Sequence, residues 1–156
     1  MKRVFLFASA VVLSASLFAQ QTAPAAQAPQ KKAEDVIKFK ELTYDFGKIK
    51  QSVPVTHNFE FTNTSDAPVI IESATPSCGC TTPVKPDGAI LKGKMDKITA
   101  GFNAVAVGAF NKSITIKVAG VALPVQLHIT GEVLTPEAYA KYQAEKGQPT
   151  PAKSGQ

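Results

Sequence analysis

Tryptophan is absent, cysteine and histidine occur twice each, and Arg3 is the one arginine in 156 residues. Each scarcity excludes something. A chain whose folded part carries lysines alone lacks the planar, bidentate guanidinium that favours phosphate and guanine recognition, which argues against a nucleic-acid partner. No glycine-rich loop of phosphate-cradling pattern appears, and the carboxylates are scattered. Neither histidine, His57 or His128, stands with a serine or cysteine at a spacing that marks a nucleophile and its base. The longest uncharged, mostly apolar run, Val4 to Leu17, is shorter than the roughly 20 residues a membrane-spanning helix needs.

What that run does resemble is a secretory leader. Lys2 and Arg3 precede it, and Phe18-Ala19 followed by Gln20-Gln21 closes it, the layout of a signal peptide cut after Ala19. Cleavage there takes the formal charge from +5 to +3 and leaves no stable membrane span. The product is then periplasmic or secreted. Residues 20–35, rich in Ala, Gln and Pro, read as a disordered linker with almost nothing to bury.

From residue 36 the apolar period becomes two. Ile37 and Phe39 alternate with lysines, and Tyr44 leads into Phe46 to Ile49. In the clearest case Val55, His57, Phe59 and Phe61 share one side while Thr56, Asn58, Glu60 and Thr62 share the other. Asn63 to Asp66 with Pro68 reads as a turn. Val69-Ile70-Ile71 is expected to be covered on both faces, and Pro83 to Lys94 to be a loop-rich crossing. Further strands are expected around Ile98 to Phe102 and Phe110 to Val118. After the tight turn Ala119-Gly120 the last runs from Leu123 to Val133, with Pro124 marking an edge or a bulge. About seven strands over residues 36–134, without helical period, predict an antiparallel β-sandwich of immunoglobulin-like type, with a closed barrel as the alternative. The core tryptophan and core cysteine pair of antibody domains are missing, so the likeness is to the wider sandwich class. Residues 135–156 read as a short helix, Glu137 to Lys146, capped by Thr135, and a disordered tail.

The two cysteines stand together in Ser77-Cys78-Gly79-Cys80-Thr81. In an extended segment residues i and i+2 share a face with Cα atoms about 6.6 Å apart, near the upper limit of disulfide reach, roughly 6.8 Å. Gly79 shortens that span by taking backbone angles closed to other residues. A Cys78–Cys80 bridge would then be strained, and exposed strained disulfides are the readily reduced ones. Reduced, the pair offers two soft thiolates to Cu(I) or Zn(II), half of a four-ligand zinc site. In a third reading both are small residues filling the end of a sandwich. Ser77 and Thr81 are read as shaping the turn.

Asp45-Phe46-Gly47, Phe59-Glu60-Phe61-Thr62-Asn63-Thr64, Pro68-Val69-Ile70-Ile71, Ser77 to Pro83 and Leu127-His128-Ile129-Thr130-Gly131-Glu132-Val133 together resemble the domain-of-unknown-function 1573 family over about residues 42–134. The resemblance implies an exported Ig-like domain of the bacterial envelope, and it brings no established activity with it. The expectation is a non-enzymatic module that binds a protein partner in the envelope and has no resident cofactor. Thiol redox chemistry or Cu(I)/Zn binding at Cys78 and Cys80 is the alternative.

Overall fold

The computed structural model describes residues 30–147. The expected signal peptide, residues 20–29 of the linker and the tail from residue 148 lie outside them. Among the described residues no helix is long and apolar enough to cross a membrane.

Among the described residues nine strands form two facing sheets: β1 (Ile37–Phe39), β2 (Thr43–Lys50), β3 (Val55–Asn63), β4 (Val69–Pro76), β5 (Thr81–Val84), β6 (Ala89–Ile90), β7 (Met95–Phe102), β8 (Gly108–Val118) and β9 (Val125–Leu134). One sheet has the order β1-β3-β7-β5 and the other β2-β9-β8-β4-β6. The Ig-like sandwich is as the alternation requires. In β3 the inward set of Val55, His57, Phe59 and Phe61 is half-buried to fully buried, while Thr56, Asn58 and Glu60 are exposed. Phe59 and Phe61 from one sheet face Ile114, Ile116, Leu127 and Ile129 from the other, all essentially inaccessible to solvent. Each such side chain contributes about 1.5–3 kcal/mol by leaving water.

Several expectations need correction. The crossing after Pro83 holds two short strands: β5 runs through Pro83 and pairs with β7, and Ala89–Ile90 pairs with β4. Pro83 is tolerated because β5 is an edge strand. Pro124 precedes β9, and β9 is interior, between β2 and β8, so the proline marks no edge. Ile70 is 48% exposed because β4 alternates, with one face toward the core and one toward solvent. The pair β2–β9 runs parallel, from Thr43↔His128 to Lys50↔Leu134, in a sandwich otherwise paired antiparallel. The linker also ends before residue 35. Ala33 is fully buried in a 3-10 turn, Ala33–Asp35, and its N–H donates to the Leu123 carbonyl at 2.8 Å.

The parallel pair carries a bulge between Asp45 and Lys48, where the Gly47 N–H donates to Asp45 Oδ1 at 2.9 Å. A Cβ at Gly131 would stand 2.7 Å from the Gly47 carbonyl oxygen and 2.8 Å from the Phe110 ring. Only a glycine lets these three elements close. Past β9, helix α1 (Pro136–Gly147) begins with the Ala138 N–H donating to Thr135 Oγ1 at 3.2 Å, and Tyr142 lies under the Lys48 ammonium, 4.9 Å from the ring centroid.

At the end of β3 the fully buried Asn63 ties the β3–β4 loop, β6 and the β6–β7 connection together. Its Nδ2 donates to the carbonyls of Ala67 (2.8 Å) and Ile90 (2.9 Å), and its Oδ1 accepts from Ser65 N–H and Oγ–H. Its own backbone bonds to Lys94 and Gly93. Asn63→Ala removes the buried hydrogen bond to the Ile90 carbonyl and the acceptor for Ser65, and is expected to lower stability by about 2–4 kcal/mol. Urea unfolding checks this against the exposed control Asn111→Ala, expected to change stability by less than about 0.5 kcal/mol.

Candidate functional site

Residues 69–84 are in effect one long strand that changes sheets at its middle. β4 pairs with β8 down to Pro76↔Ile114, and β5 pairs with β7 from Thr81↔Phe102. Ser77 to Cys80 form the corner between the two sheets, and Cys78 and Cys80 are joined there as a disulfide with Cα atoms 5.3 Å apart. Of the three readings open from the sequence, the structure holds the bridged one.

The corner is built from backbone bonds in which the sulfurs take no part. Ser77 N–H donates to the Ser113 carbonyl at 2.8 Å, and Ser113 N–H donates in return to Ser77 Oγ at 3.0 Å. The serine hydroxyl thus replaces a backbone carbonyl as the last rung of the ladder, so the chain can leave the sheet with no donor stranded. Thr81 N–H closes the turn on the Cys78 carbonyl at 3.3 Å, and Asn103 N–H donates to the Cys80 carbonyl at 3.1 Å. Gly79 is exposed at the tip. Its φ is not positive, and a Cβ there would meet nothing within 4 Å. The expectation that glycine angles shorten the cysteine span is therefore overturned, because an ordinary turn does it.

The two sulfurs are not equivalent. Both cysteines are half-buried, but Cys80 packs against the hydrophobic core, whereas Cys78 is not among the side chains packed there. Thr81 is 2% exposed, and its Oγ1 lies 3.7 Å from Cys78 Sγ and 4.0 Å from Cys80 Sγ. Its hydroxyl therefore faces the disulfide, while it is its backbone N–H that closes the turn. Ser113 and Asn103 were not signalled by the sequence: each reaches the corner from a distant strand or loop, and Ser113 bonds a partner 36 residues away.

A bridged pair offers no thiolate to a metal. Among the described residues no group of three or more His, Cys, Asp or Glu side chains gathers. His57 is stacked on Tyr44 (3.5 Å between centroids) and bonded to Glu41 at 2.8 Å. His128 is half-buried in β9 opposite Ser113 and Thr43. A soft-metal site would need reduced sulfurs and further donors.

The corner adjoins one end of the sandwich. There the β7–β8 connection, residues 103–107, meets the β2–β3 connection, residues 51–54, through Ser52 N–H to the Ala104 carbonyl (2.9 Å) and Gln51 Nε2 to the Val105 carbonyl (3.0 Å). Ser52 (φ 58°) and Ala104 (φ 53°) are the two non-glycine residues with positive φ among those described.

Comparison with known proteins places this arrangement. The family described as "Protein of unknown function (DUF1573)" matches residues 37–133. No curated protein sequence matches. Among solved structures, a protein of unknown function from Porphyromonas gingivalis W83 is similar at 17% identity and TM-score 0.54, over 71% of this chain and 51% of that one. The VesB protease of Vibrio cholerae is similar at 12% identity and TM-score 0.51, over 65% and 33%. The human CEP192 ASH/PapD-like domain aligns at 10% identity and TM-score 0.49, over 78% and 99%. The chain thus spans about half the length of the first and a third of the second. At these identities the likeness to the first two shows the fold alone.

Gly79→Ala is expected to leave both the disulfide and the stability unchanged, within about 0.5 kcal/mol. Replacing both Cys78 and Cys80 with serine removes a bridge across a minimal loop, and is expected to cost less than about 2 kcal/mol. Intact mass with thiol alkylation, together with urea unfolding, checks both.

Proposed function

The chain belongs to the DUF1573 family, and on that ground together with its Ig-like architecture we propose that it is a non-enzymatic protein-interaction or assembly module of the bacterial cell envelope. In this reading the leader is removed after Ala19, and the domain works in the periplasm or beyond it, bound to a protein partner.

The observation that carries the reading is the apolar end formed by the two bonded loops. Val53, Val105 and Val107 are 47%, 58% and 51% exposed. The first two directly follow the positive-φ residues Ser52 and Ala104, which bond to each other. A non-glycine residue in that region costs on the order of 1 kcal/mol and persists only where the surroundings enforce it. Ala104, itself fully buried, anchors its loop. The backbone is thus set so that valines are held outward in a fixed arrangement, an ordering cost met before any partner arrives. A protein presenting a complementary apolar patch is the occupant this chemistry fits.

The test uses the mature chain as bait in envelope extract beside a triple variant, Val53→Ser with Val105→Ser and Val107→Ser. The wild type is expected to enrich a defined partner, and the variant to lose it by at least about tenfold, or 1.4 kcal/mol. Equal enrichment by both, or none by the wild type, overturns the reading.

A further inference from the structure

We propose that the Cys78–Cys80 disulfide is a thiol–disulfide exchange site whose substrate is a protein dithiol, with Cys78 as the attacked sulfur and Cys80 as the leaving one. The inference is carried by the corner and not by the valine end. A bridge across two residues constrains the unfolded chain little. The corner it occupies is already fixed by four hydrogen bonds, from Ser77 and Thr81 N–H, from Asn103 N–H and to Ser77 Oγ, none of which involves sulfur. Opening the bridge therefore leaves the sheets joined. A disulfide that contributes little to the fold and sits half-exposed at a turn tip is placed for chemistry.

The asymmetry of the pair sets the order of events. Gly79 at the tip has open space around it, and Cys78 is free of the core packing that covers Cys80. An incoming thiolate accordingly reaches Cys78 Sγ. It forms a mixed disulfide there as the Cys78–Cys80 bond breaks, and the bonding pair leaves on Cys80 Sγ. Thr81 Oγ1 is buried, 3.7 Å from Cys78 Sγ and 4.0 Å from Cys80 Sγ; once the bridge opens Cys78 Sγ is neutral in the mixed disulfide, so the hydroxyl donates its proton in a hydrogen bond to the charged Cys80 thiolate. The partner's second thiol, as thiolate, then attacks its own sulfur in the mixed disulfide and releases Cys78. The partner dithiol is oxidised to a disulfide. Cys78 and Cys80 receive two electrons and, at neutral pH, the two protons the partner's thiols give up.

The full chain, purified without reductant, is treated with dithiothreitol in the absence of denaturant and read by alkylation and intact mass. Two alkylated cysteines with an unchanged far-ultraviolet circular dichroism spectrum are expected. With glutathione disulfide as probe, Cys80→Ser is expected to form a mixed disulfide at Cys78 at least about tenfold faster than Cys78→Ser forms one at Cys80, as access dictates. Thr81→Val is expected to slow reduction of the native bridge about fivefold or more and to raise the thiol pKa of Cys80, read by thiolate absorbance in Cys78→Ser; Thr81→Ser restores both. Reduction that requires denaturant, equal or reversed rates in the two single variants, or two free thiols in protein taken from the envelope each overturn the proposal. The valine variants keep their exchange rate, so this proposal and the docking reading fail separately.

Discussion

The structure depends on carrying the chain from one sheet to the other between Pro76 and Thr81 without leaving a polar backbone group unpaired. Were the crossing to fail, β5 would lose its place on β7, and β7 would become the open edge of a three-stranded sheet. The solution is local and inexpensive in sequence. One serine hydroxyl stands in for a carbonyl, one turn bond closes on Cys78, and one amide from the β7–β8 connection reaches the Cys80 carbonyl. Where the crossing lies also decides what is exposed. β4 stops pairing at Pro76, while β8 continues back to Gly108 with β9 on one side. The disulfide thus sits at the break in the sheet, not inside it.

Two further constraints hold the layers once the chain has crossed. Asn63 acts as a buried connector, its side-chain amide engaged on both its nitrogen and its oxygen, joining the end of β3 to the loop before β4 and to β6. At the opposite edge, Gly131 lets the Gly47 carbonyl and the Phe110 ring approach β9 more closely than any Cβ allows. Phe110 in turn stacks on Phe102 of the other sheet at 4.2 Å. A single missing methyl group therefore connects the bulge of β2, the edge pairing and the contact between sheets.

How much of this was legible follows from the range of the interactions concerned. The alternation through Val55 to Phe61 is a local consequence of pleating, and the buried faces agree with it residue by residue. The Thr135 cap is likewise local. The strands at Thr81–Val84 and Ala89–Ile90 were hidden because they are short, carry or adjoin prolines and glycine, and exist only through pairing with distant partners. Within the site, the two cysteines announced themselves by spacing, but that spacing left a bridge, a dithiol and packed side chains all open. Thr81 was visible as a turn residue and not as the hydroxyl facing both sulfurs. Ser113 and Asn103 carried no signal, since nothing near either residue in sequence encodes a bond across the sandwich.

The disulfide corner and the valine end are physically connected. Cys80 accepts from Asn103 N–H, Asn103 Oδ1 accepts from Val105 N–H at 3.3 Å, and Ala104 accepts from Ser52 N–H. Contiguity of this kind is not coupling, which requires an element with two arrangements that both sites bias. Here the link runs through the Cys80 carbonyl, and that carbonyl is placed by the turn and by β5, whatever the state of the sulfur two bonds from its Cα. Breaking the Cys78–Cys80 bond frees two side-chain torsions while the backbone bonds at Ser77, Thr81 and Asn103 stay in place. The valine surface should accordingly keep its shape whether the bridge is closed or open, so the docking and the exchange we propose are independent uses of one scaffold.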